Sequence, residues 1–179
     1  MVKKWEEKES QHILSGHIFR YFKKRRGSPN GDKEGHFDVI ECFPWVNILA
    51  FDEDGKVILV EQYRHGVDDL TLEIPGGAVN PGEEAIESAK RELLEETGHS
   101  SNEWFSLGHV QANPAFMTNE CSTFLAFNCK KTSEQNLDPL EEIDLQLIPL
   151  ESFENKIKTG EIKHSLVIAA YALYLLWKK

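Results

Sequence analysis

Residues 77 to 98 read GAVNPGEEAIESAKRELLEETG, and this stretch constrains the chain more than any other. Gly77, Glu83, Arg91, Glu92, Glu95, Glu96 and Gly98 stand at the spacing G-x5-E-x7-R-E-(apolar)-x-E-E-x-G. At average usage near 7% per residue type, a preset match of this length has a chance on the order of 10⁻⁸ per start position. Pro81 and Gly82 break the chain, so a helix is expected from about Glu84 to Thr97. Ile86, Ala89 and Leu93 give it a buried stripe at helical spacing. Glu92, Glu95 and Glu96 fall at i, i+3 and i+4 and project from one sector of its surface. Carboxylates that close repel one another and call for a cation, and an oxygen-only set suits Mg²⁺ or Mn²⁺. Arg91 lies one turn from both Glu87 and Glu95 and can hold the outer carboxylate in place. Gly98 ends the helix as a C-cap glycine does. A solvated acidic helix is the plain alternative for the glutamates alone. The glycines and the arginine at matching positions weigh against it.

Strands are expected on both sides of that helix. Pro44 to Phe51 is an apolar run, DEDG turns it, and KVILVEQYR follows. Leu70, Leu72 and Ile74 alternate with polar residues and lead into Gly77. After the helix come strands around Trp104 to Gln111 and Ser122 to Phe127, then an acidic loop from Ser133 to Glu142. A strand from Ile143 to Ile148 and helices over about Leu150 to Lys158 and His164 to Trp177 close the chain. Ahead of all this, residues 11 to 24 alternate loosely, KKRRGSPNGDKEG is dense in turn formers, and His36 to Cys42 reads as a strand. These residues are expected to form an antiparallel hairpin, with Lys23 to Arg26 as solvated charges near its tip. Strands around one central helix, with helices at the end, make an α+β or mixed sandwich and not a doubly wound parallel fold. The organisation expected is an extension over residues 1–41 and one domain over 42–179.

At 179 residues the chain can bury a proper core. A formal charge of −10 argues against broad binding to long nucleic acid or anionic membrane. It leaves a nucleotide open, because a bound metal reverses the local field. Cys42, Cys121 and Cys129 form no CxxC, and MVKKWEEKES is too charged for a secretory segment, so free thiols in the cytoplasm are expected. The apolar run Leu166 to Trp177 is about half of a membrane span and reads as a buried helix.

Residues 77 to 98 resemble the Nudix box, the signature of hydrolases that cleave nucleoside diphosphates linked to another moiety. Further residues resemble the ADP-ribose pyrophosphatase branch, which includes broader nucleoside-diphosphate-sugar hydrolases. They are Gln62-Tyr63-Arg64, Glu73-Ile74-Pro75-Gly76, Pro114 sixteen residues after Gly98, and the acidic loop before Ile143. The resemblance runs from roughly Phe37 to Leu150. It implies an α/β/α sandwich with a mixed sheet, extended by the N-terminal hairpin, and a homodimer in that branch. It also implies Mg²⁺, with Mn²⁺ as an alternative, held by the Gly76 carbonyl with Glu92 and Glu96. Glu95 would share the ligand role or orient the attacking water. Arg64, Glu73 and Glu120 would border the substrate, and Glu141 or Glu142 would be the general base. For Arg64 a surface ion pair, and for Phe116 and Met117 an anchoring role in their loop, stand as alternatives. His99 departs from the family, which prefers an apolar residue after the last glycine. The activity implied is hydrolysis of a nucleotide sugar, ADP-ribose first. The rival readings are a Nudix pyrophosphatase for dNTPs, dinucleoside polyphosphates or capped RNA, a catalytically dead binding module, and an acidic interaction domain.

Overall fold

Along Trp45–Asp52 the apolar residues alternate between two cores: Val46, Ile48 and Ala50 join one, Leu49 and Phe51 the other, and all are buried. A strand buried on both faces needs a packed layer on each side. The computed structural model describes residues 1–179. In chain order its elements are β1 (Glu6–Ser15), β2 (Phe19–Gly27), β3 (Glu34–Cys42), β4 (Trp45–Asp52), β5 (Val57–Arg64), β6 (Asp69–Glu73), β7 (Gly76–Ala78), α1 (Ala85–Thr97), β8 (His99–Ser100), β9 (Glu103–Gln111), β10 (Glu120–Lys131), β11 (Ile143–Ile148), α2 (Leu150–Thr159) and α3 (Ser165–Trp177). They divide into two units: Met1–Phe43 with Gln111–Glu120, and Pro44–Val110 with Cys121–Lys179.

The second unit is built on the order β11-β5-β4-β10-β8, with β6 on β5, β7 on β4 and β9 on β10. β4 runs parallel to β10, with Ile48 opposite Phe124, and antiparallel to β5 and β7. A parallel pair cannot be joined by a tight turn, and the long connection here contains α1. Ala89 and Leu93 of α1 pack on Val46, Ile48, Ala50, Ile58, Phe124 and Ala126. On the opposite face, Phe153 of α2 and Val167, Ala170 and Tyr174 of α3 cover Leu49, Phe51, Val57, Leu59 and Leu125. A fully buried side chain such as Leu93 contributes roughly 1.5–3 kcal/mol through its removal from water. This is the expected α/β/α sandwich around a mixed sheet. The β4–β5 turn is fixed locally: Asp52 Oδ1 accepts the N–H groups of Asp54 (3.0 Å) and Lys56 (2.7 Å), and Gly55 takes φ +76°.

The first unit carries an antiparallel sheet in the order β1-β2-β3. Two strands, β1 and β2, stand where the alternation over residues 11–24 suggested one arm of a hairpin, so the sheet has three strands. A turn at Gly16, whose N–H meets the Phe19 carbonyl at 2.9 Å, divides that stretch. Lys23 to Arg26 stand beside the turn over residues 28–33 as expected, but three of them are in ion pairs and not simply solvated. They lie within β2, between two strands rich in acids. Lys24 meets Glu7 (3.4 Å) and Glu41 (3.3 Å), Arg25 meets Glu9 (3.3 Å) and Glu34 (2.8 Å), and Arg26 meets Glu7 (3.2 Å). Exposed pairs contribute little singly, but together they favour one register in strands with few apolar residues. Within the same unit Ile40 exchanges backbone bonds with Phe116 (2.8 Å) and Thr118 (3.1 Å). Those bonds tie down the loop that holds Met117 and half-exposed Phe116.

All three cysteines are free, and burial pushes the Cys121 and Cys129 thiols up to about 12. No helix is long and apolar enough to cross a membrane.

Candidate active site

α1 begins three residues after Pro81-Gly82 and ends at Gly98, which adopts φ +71° and bonds to the Leu94 carbonyl at 2.8 Å. A Cβ on Gly98 would also come within 2.2 Å of the Ser133 carbonyl oxygen, so glycine is needed for both conformation and space. The helix buries Ser88, Ala89, Leu93, Glu96 and Thr97. The surface reading of three outward glutamates is thus corrected at Glu96, which is only 4% exposed. It turns inward because its Oε2 accepts the Gly76 N–H at 2.9 Å.

Arg91 organises the other carboxylates. Its Nη1 donates to Glu92 Oε1 (2.8 Å) and Glu95 Oε2 (2.9 Å), and its Nε to Glu83 Oε1 (3.0 Å). Its Nη2 reaches the Ala78 carbonyl (3.2 Å) and Ser88 Oγ (3.1 Å). The expected Arg91–Glu95 contact forms. Glu87 pairs instead with Lys90 at 2.7 Å. Arg91 uses one oxygen of Glu92 and one of Glu95, leaving each a second oxygen for a cation. The Glu92 carboxylate lies so close to Gly77 that a Cβ there would fall 2.4 Å from Oε1. The glycine therefore makes room for the carboxylate.

This cluster is electrostatically strained. Burial raises the Glu92 carboxyl, Arg91 opposes the shift, and Glu95 and Glu141 add to it. Burial pushes Glu96 up to about 8, with Glu92 and Glu141 adding, against the Gly76 N–H and Arg64. In the structure no group of three or more His, Cys, Asp or Glu side chains is placed to hold a metal ion. Glu92 and Glu95 meet at Arg91, while Glu96 is held on the Gly76 N–H. The donors are nonetheless all oxygens on one helix end, which fits a hard divalent cation and no soft one.

Arg64 and Glu73 form the ion pair weighed from sequence. Arg64 donates from Nε and Nη2 to the two oxygens of Glu73, both at 2.8 Å. Thr71 Oγ1 adds a third bond to Glu73 at 2.6 Å. Burial disfavours ionisation of Glu73, but Arg64 and Thr71 outweigh it and hold the carboxyl below its usual value. Glu73 is buried while the Arg64 side chain is 43% exposed, so the arginine keeps an edge in solvent. His164, at the start of α3, sits 4.0 Å from Glu73 and buries an unpartnered Nδ1.

The acidic loop docks on the end of α1. Asn136 N–H bonds to the Glu95 carbonyl (2.9 Å), and Gln135 Nε2 to the Glu96 carbonyl (2.6 Å). Glu141 is near enough to raise Glu92, Glu96 and Arg64 through its charge. Glu142 is exposed beside it. Glu120 opens β10 and belongs to the first unit, while the other candidates belong to the second. Gln135, Thr71 and His164 were missed from sequence. Lone polar residues of these types are common in loops, strands and helix starts and carry no spacing signal. His99 is buried and bonded through Nδ1 to the Thr97 carbonyl at 2.8 Å, a structural position.

The site is thus a helix that ends in three glutamates over a mixed sheet, with Gly77 ahead of it and Gly98 at its end. The NUDIX domain matches residues 41–171, and the chain belongs to the NUDIX family. An ADP-ribose pyrophosphatase of Bacillus subtilis (strain 168) is 29% identical over 99% of this chain and 96% of its own length. The ADP-ribose pyrophosphatase of Mycobacterium tuberculosis (strain ATCC 25618 / H37Rv) is 29% identical over 92% of this chain and 80% of its own. A methanol dehydrogenase activator of Bacillus methanolicus is also 29% identical, over 95% and 93%. The crystal structure of an ADP compounds hydrolase superposes with a TM-score of 0.85 at 20% identity, covering 99% of this chain and 95% of that one. At that identity the likeness concerns the fold.

Proposed function

We propose that this Nudix pyrophosphohydrolase cleaves the pyrophosphate bond of nucleoside diphosphate sugars, ADP-ribose first, to a nucleoside monophosphate and a sugar phosphate. The observation that carries the reading is the clustering of Glu92, Glu95 and Glu96 at one helix end, within the field of Glu141 and Arg64. End-to-end similarity to two proteins named ADP-ribose pyrophosphatase supports the substrate. Mg²⁺, or Mn²⁺, would be held by the Gly76 carbonyl with Glu92, Glu95 and Glu96. Bound there, it would neutralise phosphate oxygens and acidify the attacking water.

The chain's own residues do the rest. Glu73 fixes the Arg64 fork, so the free edge of the guanidinium can bind a phosphate oxygen in a set orientation. Glu141 is favoured over Glu142 as general base, because its charge is among the main influences on both Glu92 and Glu96. Glu95 retains a free oxygen to orient water, and Glu120 is retained as a substrate contact from the resemblance alone. The test is product release: AMP and ribose 5-phosphate should form from ADP-ribose with Mg²⁺ and not with EDTA. A protein that binds ADP-ribose without turnover would instead be a binding module.

The raised carboxyls give a pH prediction. A carboxyl raised in the folded state stabilises the fold below its unfolded value of 4.5, and that contribution is lost as pH rises through about 8. In EDTA, Tm should therefore fall between about pH 5 and pH 8. Mg²⁺ should raise Tm more at pH 8 than at pH 6, because it favours the ionised carboxylates. An equal Mg²⁺ shift at both values would contradict metal binding at Glu96.

Residues 1–41 are proposed to act as an extension of the domain over 42–179 and to carry much of a homodimer contact. β1 is exposed along its whole length, with Ile13 at 41% and Leu14 at 47%. A three-stranded sheet needs a covered hydrophobic face to be stable, and this edge strand has none within the chain. Light scattering should give twice the chain mass of 20.5 kDa, and a monomer at micromolar concentration would refute the dimer. The free thiols suit a reducing compartment, and we assign the protein to the cytoplasm.

A further inference from the structure

The segment that carries Glu141 has little packing of its own. Leu140 is 98% exposed, and Asp138, Pro139, Glu141 and Glu142 are all exposed. Its internal order is one turn, in which the Glu141 N–H meets the Asp138 carbonyl at 2.9 Å and Glu141 Oε2 accepts the Asp138 N–H at 3.3 Å. What sets the position of this segment is its two ends, and one side chain touches both. Gln135 Nε2 donates to the Glu96 carbonyl at the end of α1 (2.6 Å) and to the Ile143 carbonyl at the start of β11 (3.2 Å). A single amide thus closes residues 136–142 into a loop. It fixes that loop to the helix turn that bears Glu95 and Glu96.

We propose that Gln135 is a positioning residue: by joining the Glu96 and Ile143 carbonyls it sets the reach of the Glu141 carboxylate toward the glutamates of α1. This rests on the reading of Glu141 as general base. The bland alternative is that Gln135 only satisfies a helix-end carbonyl, as helix termini require. Two features favour positioning. The end of α1 is also bound by the Gly98 N–H on Leu94 and the Asn136 N–H on Glu95, so Gln135 is not its sole cap. The second bond, to β11, does nothing for the helix. It is the bond that defines where the loop re-enters the sheet.

The experiment is a double-mutant cycle on the full chain with ADP-ribose and Mg²⁺, using Gln135→Met and Glu141→Gln alone and together. Gln135→Met keeps the bulk and removes the donor. Gln135→Glu, which removes the donor in a different way, is measured beside it in case either fails to fold. Loss of positioning should lower kcat about tenfold or more with KM little changed, because small misplacements of a reacting group are costly. The Mg²⁺-induced rise in Tm should persist. Glu141→Gln should cost much less in the Gln135→Met background than in the wild type, since a misplaced base has less to lose. Wild-type kcat in Gln135→Met, or strictly additive effects, would overturn the proposal while leaving Glu141 as the base. Wild-type kcat in Glu141→Gln would remove the base reading, and this proposal with it.

Discussion

Glu92→Gln and Glu96→Gln are each expected to lower kcat by at least about two orders of magnitude, the scale of losing a strong electrostatic stabiliser of the transition state. Each change removes a charge and leaves an amide of the same shape. The two variants should differ in stability. Glu96 is buried, with one oxygen on the Gly76 N–H, and its carboxyl is pushed up to about 8. A glutamine oxygen can keep that hydrogen bond without a buried charge, so metal-free Glu96→Gln should be at least as stable as wild type near pH 8. Glu92 shares Arg91 with Glu95 and lies against Gly77. Its replacement exchanges a charge-assisted bond from Arg91 for a neutral one, while relief of the burial that raises the Glu92 carboxyl offsets part of the loss. The cost should therefore fall below the roughly 1.5–3 kcal/mol of a hydrogen bond to a charged group. Thermal melts in EDTA separate these effects from turnover. Near-wild-type kcat in either variant would remove the metal assignment.

Glu141→Gln is expected to slow turnover by about two orders of magnitude with little change in KM, while Glu142→Gln stays close to wild type. General bases contribute roughly 10²–10⁴-fold, and a loss confined to kcat marks an interaction made mainly in the transition state. The choice between neighbouring residues comes from electrostatics: Glu141 is among the main influences that disfavour ionisation of both Glu92 and Glu96. A slow Glu142→Gln beside an active Glu141→Gln would exchange their roles. If both are active, Glu120 or a glutamate of α1 is next in line.

Much of the second unit could be read from the chain. β11 occupies the expected Ile143–Ile148, and α1 runs from Ala85 to Thr97 with Gly98 as its cap. Those elements announce themselves through periodicity and terminators, which are local signals. The short β7 and β8 do not, because two or three residues are too few to show a period and are recruited by β4 and β10. The turn at Gly16 was hidden for a related reason: loose alternation continues across it in a strand whose residues are all exposed. In the site, Glu92, Glu95 and Glu96 were visible at helical spacing. The inward turn of Glu96 was not, since it depends on a backbone N–H twenty residues away in sequence. Gln135 was invisible for the same reason, as its partners lie on two different elements.

The most direct measurement of the account is steady-state kinetics on ADP-ribose and on dNTPs with saturating Mg²⁺. A site that grips groups at both ends of a diphosphate can use the remote contacts to align it for attack. The expected result is a kcat/KM for ADP-ribose or another nucleotide sugar at least tenfold above that for any dNTP, or about 1.4 kcal/mol of transition-state preference. Equal or greater efficiency on a dNTP would contradict the nucleotide-sugar assignment and leave membership of the NUDIX family standing.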